Sequence, residues 1–61
     1  MDVTLAEIET VLREREVAPS RFGRGAVNDP RLVFDLRRGR RLGAANAARV
    51  QNYLQRLSMG G

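Results

Sequence analysis

The chain has 61 residues, which sets it as one domain, and a domain of that size buries only about 60% of its unfolded surface, so stability is marginal and pairing with a second copy would help it. Eleven arginines and no lysine stand against seven carboxylates, for a net charge of +4, and there is neither cysteine nor histidine. Those absences exclude a disulfide framework, the usual zinc sites and any catalysis that needs an imidazole, a thiol or an amine, so no metal, no cofactor and no enzymatic activity are expected.

The first helix opens at Val3-Thr4-Leu5-Ala6-Glu7-Ile8. Thr4 and Glu7 have the spacing of a capping box, and Val3 and Ile8 that of a hydrophobic staple. Leu5, Ile8, Val11 and Leu12 then form an apolar stripe, with Glu9 and Arg13 set to pair outside it at i, i+4. This helix is expected to fade near Arg15 or Glu16.

Pro19 or Ser20 opens a shorter helix in which Phe22 and Ala26, four apart, face inward. Gly23 is the awkward residue there. A glycine inside a helix costs about 0.5 to 1 kcal/mol relative to alanine, so its presence predicts another backbone too close for a Cβ. Gly23-Arg24-Gly25 also has the form of an RG repeat, but a single copy fits helix packing better.

Asn28-Asp29-Pro30 reads as a turn residue that tolerates positive φ, an N-cap carboxylate and a proline at N1, so a third helix is predicted from Pro30. Leu32, Val33 and Leu36 fall on one side of it, while Arg31, Phe34, Asp35 and Arg38 recur on the other at i, i+3, i+4 and i+7. Gly39 is placed to end the helix in a left-handed conformation, with Arg37, Arg40 and Arg41 gathered where cations suit the helix dipole. Ala44 to Leu57 gives the last helix, lined by Ala47, Val50, Leu54 and Leu57 with Tyr53 at its edge, and residues 58–61 read as a frayed tail. The expected fold is an all-α compact bundle of about four short helices in a single domain.

Charge is polarised along the chain. Residues 1–18 hold five acids and two arginines, whereas residues 19–49 hold eight arginines against only Asp29 and Asp35. A basic middle of this kind attracts a polyanion, and the acidic first helix favours nucleic acid over an anionic membrane surface. There is no apolar run long enough to span a bilayer or serve as a signal peptide, so a cytoplasmic, nucleoid-associated location is expected.

Residues 19–41 resemble the small phage-repressor, Cro and XRE-type helix-turn-helix regulators. The match runs through Phe22 and Gly23 as the apolar and small pair of the first helix, Ala26 before the turn, Val33 and Leu36 as inward residues of the second, and then Gly39-Arg40-Arg41. It departs at the turn, where the family's glycine and apolar residue are replaced by Val27 and Asn28, which shifts the turn by one residue.

The resemblance implies a sequence-specific DNA-binding transcriptional regulator, a repressor of phage or mobile-element type, that lays the third helix in the major groove of double-stranded DNA and binds a palindrome as a homodimer. On that reading Arg31, Phe34, Asp35 and Arg38 meet base edges, and Arg21, Arg24, Arg37, Arg40, Arg41 and Arg49 meet phosphates. The alternatives are plain. Asp35 can pair with Arg31 and Arg38 instead of a cytosine amino group, Phe34 can meet a neighbouring helix instead of a thymine methyl, and any of the arginines can be solvated charge. A chain this short leaves no room for a small-molecule effector domain. A protein-interaction module, an antitoxin or adaptor anchored by Phe34 and Tyr53, is the rival function, and a nonspecific architectural or RNA-binding role lies between the two.

Overall fold

The structure, a computed structural model, describes residues 4–59. Among them are four helices, α1 (Leu5–Arg15), α2 (Pro19–Val27), α3 (Leu32–Arg37) and α4 (Ala44–Met59), and no strand. The all-α bundle expected from the sequence is the observed architecture. None of the four helices is long and apolar enough to cross a membrane.

α1 begins as its capping box dictates. The Thr4 hydroxyl accepts from the Glu7 N–H, and the Glu7 carboxylate accepts from the Thr4 N–H, both at 3.2 Å. The staple partner Val3 lies outside the described residues. The helix ends on Glu16 in a left-handed conformation (φ 54°), and the next N–H, that of Val17, returns to the Leu12 carbonyl at 2.9 Å. Proline stands at the first position of α2, where its missing N–H costs nothing, and Asn28 closes that helix with φ 58°. The left-handed turn residue is therefore Asn28.

The third helix starts two residues later than the sequence predicts. Pro30 and Arg31 form a turn, because the Asp29 carbonyl accepts from the Leu32 N–H at 3.1 Å, a reach of three residues. Asp29 accepts the Arg31 N–H on Oδ1 at 3.0 Å within that turn, but the residue before the helix is Arg31, no side chain caps it, and α3 proper is left with six residues. At the other end α4 runs past Leu57 to Met59, so Ser58 and Met59 are helical where a frayed tail is expected; Gly60 and Gly61 lie outside the described residues. The Arg15 guanidinium reaches from the end of α1 to the Ser58 carbonyl at 2.6 Å, placing a cation on the last turn of α4.

The core is built from the predicted inward residues of all four helices: Ile8 and Leu12, Phe22 and Ala26, Leu32 and Val33, Val50 and Leu54. Phe22 is its centre. It is fully buried and meets the Tyr53 ring edge-on, with centroids 5.4 Å apart at 72°. α2 packs on both α3 and α4, and α1 closes over α4 and α3. Gly23 explains the close approach of the turn before α3 to α2, since a Cβ at that position would overlap the Asp29 carbonyl and sit 3.0 Å from the Leu32 Cβ. The absence of a side chain lets the turn before α3 lie directly on α2.

Candidate nucleic-acid interface

The short third helix is anchored by the buried Leu32 and Val33 and tied at its ends by charged side chains. Arg37 leaves its C-terminal turn and grips Glu9 of α1 in a fork, Nε to Oε2 at 2.8 Å and Nη2 to Oε1 at 2.7 Å. Arg40, just past the helix, places Nη1 2.8 Å from Asp29 Oδ2 and 3.2 Å from Asp35 Oδ2. The hydrogen bond from Arg40, with a smaller one from the Arg31 N–H, holds the Asp29 carboxyl below its usual range; the bond from Arg37 does the same for Glu9. Gly39, at φ 104°, turns the chain back so that the arginine after it can return to the helix it follows.

These pairings sort the basic middle of the chain. Its only two carboxylates, Asp29 and Asp35, both end on Arg40, and Arg37 takes its partner from α1. Arg21, Arg24, Arg31, Arg38, Arg41 and Arg49 are exposed and form no ion pair among the described residues. Six of the eight arginines in this region are thus exposed and outside any ion pair among the described residues.

Of the residues expected to read bases, Arg31 and Arg38 are the caps of α3, one at each end. Phe34 lies between them in sequence, 45% exposed, with the Arg37 guanidinium 5.7 Å from its ring centroid. Asp35 does not pair with Arg31 or Arg38 as one alternative had it; it is half-buried and bonded to Arg40. Of the expected phosphate contacts, Arg21 and Arg24 sit one turn apart on exposed α2, and Arg41 follows the clamp beside Leu42. Arg37 and Arg40 are already engaged within the chain. Arg49 stands apart, on a shallow groove between α2 and α4 with Gly25, Asn52, Tyr53 and Met59.

Three features escape a reading of the sequence. Glu9 was assigned to Arg13, four residues on, and instead reaches an arginine 28 residues away. Tyr53 is a packing partner of Phe22 whose hydroxyl end lies over Gly25, so close that a Cβ there would overlap it. Arg40 gathers two carboxylates, one of which, Asp35, a local reading pairs with Arg31 or Arg38. No protein-family model, curated protein or solved structure matches the chain.

Proposed function

We propose that this protein binds double-stranded DNA in a sequence-specific way, as a small transcriptional regulator of repressor type, presenting α3 to the major groove. The observation that carries the reading is the sorting of charge just described. The acids of the basic middle are drawn onto one arginine, and six arginines are left facing solvent from α2, from both ends of α3 and from the segments that follow. That is the electrostatic footprint of a polyanion-binding surface.

The contacts divide by position. Arg31 and Arg38 bracket α3 and are the candidates for guanine, with Phe34 beside them for a thymine methyl; Arg21, Arg24, Arg41 and Arg49 are the candidates for phosphate. The proposal includes a homodimer, since one domain of this size spans only a few base pairs, and a two-fold axis would place half-sites about 10 base pairs apart, centre to centre.

Two measurements on the intact protein test the proposal. Selection from a random duplex pool is expected to return a palindrome, and log K on that sequence is expected to fall against log salt with a slope of about −0.9 per contact, or roughly −3 to −4 per subunit for four phosphates. A slope near zero, with no enriched sequence, removes the proposal and leaves the protein-interaction reading in its place.

A further inference from the structure

We infer that Arg40 is a positioning residue that sets sequence discrimination by locking the two ends of α3, and that it is not a phosphate contact; the inference rests on the DNA-binding reading above. Its guanidinium joins three segments that α3 alone cannot hold together. Asp29 precedes the helix, Asp35 lies within it, and Arg40 follows it, with Nη1 shared between the two carboxylates and its own N–H donating to the Asp35 carbonyl at 2.9 Å. Asp29 is in turn tied to α2, its N–H donating to the Gly23 carbonyl at 3.1 Å.

The consequence falls on Arg31 and Arg38. Each lies two residues from a clamped position, Arg31 after Asp29 and Arg38 before Arg40, and each caps one end of α3. A helix of six residues has no stability of its own in water, so the distance and orientation between its ends must be imposed from outside. Burial of Leu32 and Val33 fixes the middle of the helix, and the clamp ties its two flanks to each other. Its charge argues against a phosphate role, because one arginine with two carboxylates carries a net −1, which gives an approaching phosphate nothing to gain.

The test uses a charge-matched variant. Arg40→Gln combined with Asp35→Asn removes the clamp yet leaves the cluster at −1, so the long-range field on DNA is the same as in the unaltered chain. With the duplex returned by selection and a random duplex as probes, binding is followed across a range of salt. A positioning role predicts a loss of about tenfold or more on the selected duplex, unchanged affinity for random duplex and an unchanged salt slope. A phosphate role predicts equal losses on both duplexes and a slope shallower by about 0.9, and that result overturns the inference.

Arg40→Lys serves as the second variant, because lysine keeps the charge and binds phosphate well but its ammonium ends one bond short of Nη1, the atom that meets both carboxylates. It should lose discrimination as the double variant does. Full discrimination in Arg40→Lys overturns the inference while DNA binding stands, whereas a flat salt slope in the unaltered chain removes the functional reading itself.

Discussion

α1 and α3 are both helices, and they exist for opposite reasons. α1 carries its own start in Thr4 and Glu7, its own stop in Glu16, and eleven residues between them. α3 has six residues, no side-chain cap on its first residue's neighbour Arg31, and ends that are fixed by Asp29, Arg40 and the Arg37 fork to Glu9. The first is written in local sequence; the second is assembled by the rest of the fold. Placing the proposed reading surface on the assembled helix makes its geometry a tertiary property, sensitive to residues that never face a ligand.

The largest test of that contrast is Gly23→Ala. Alanine would improve the propensity of α2 by about 0.5 to 1 kcal/mol, but its Cβ would overlap the Asp29 carbonyl, and over-packing of that kind costs about 1 to 3 kcal/mol. The second effect is larger because the obstacle is backbone. We expect net destabilisation of about 1 to 2 kcal/mol, a fall in Tm of roughly 4 to 8 °C per kcal/mol in a thermal melt, with backbone chemical shifts displaced in α3 more than in α1. Gly25→Ala is the control. Its Cβ would meet the Tyr53 ring, a side chain of α4, so relief comes from shifting that ring on Phe22 and the displaced shifts should lie in α2 and α4. Unmoved α3 resonances in Gly23→Ala would show that the turn before α3 does not depend on close approach to α2.

What could be read from the sequence follows the same division. Local signals were legible in the capping box of α1, proline at the start of α2, the left-handed Asn28, and the inward residues Leu32, Val33 and Leu36, whereas Asp29, read as the N-cap of α3, accepts inside the turn that precedes it. Gly23 was legible as a close approach, although not which backbone approached. The start of α3 was placed at Pro30 because the cap and proline signals are the same for an α-turn and for the tighter turn observed, and only the Leu32 N–H bond to the Asp29 carbonyl distinguishes them. Arg37 and Arg40 were taken as outward clamps because their partners are 28, 11 and 5 residues away, none of them at the i, i+3 or i, i+4 spacing of a helix face.

Thr4→Ala tests the other side of the contrast. Loss of an N-cap hydroxyl costs about 0.5 to 2 kcal/mol, and at this exposed helix end the value should lie near 1. The loss should be confined to the first turn of α1, with the α3 resonances unmoved. Displacement of α3 by this substitution would mean that the two helices form as one unit, and the division between local and assembled helices would fail.

The smallest effect is acid, and it should fall on α3 first. Asp29 and Glu9 have folded-state carboxyls held below their ordinary values of 3.8 and 4.5, chiefly by hydrogen bonds from Arg40 and Arg37. A carboxyl whose pKa is depressed on folding contributes stability that is fully present above its unfolded pKa and is lost as pH falls through the folded one. The window therefore lies below about pH 4.5, and both carboxylates are partly open to solvent, so salt screens the contribution and it is modest. α1 also has a carboxylate at its start, Glu7 accepting the Thr4 N–H, but the Thr4 hydroxyl bond beside it involves no titrating group, so half of the capping box survives acid. Carbon chemical shifts recorded from pH 6 to pH 2 should show helicity draining from residues 32–37 before residues 5–15, and Glu9→Gln with Asp29→Asn should flatten that acid response. Loss of both helices at a single pH in the unaltered chain would mean that acid acts on the whole fold and that the ion pairs around α3 are not what holds it.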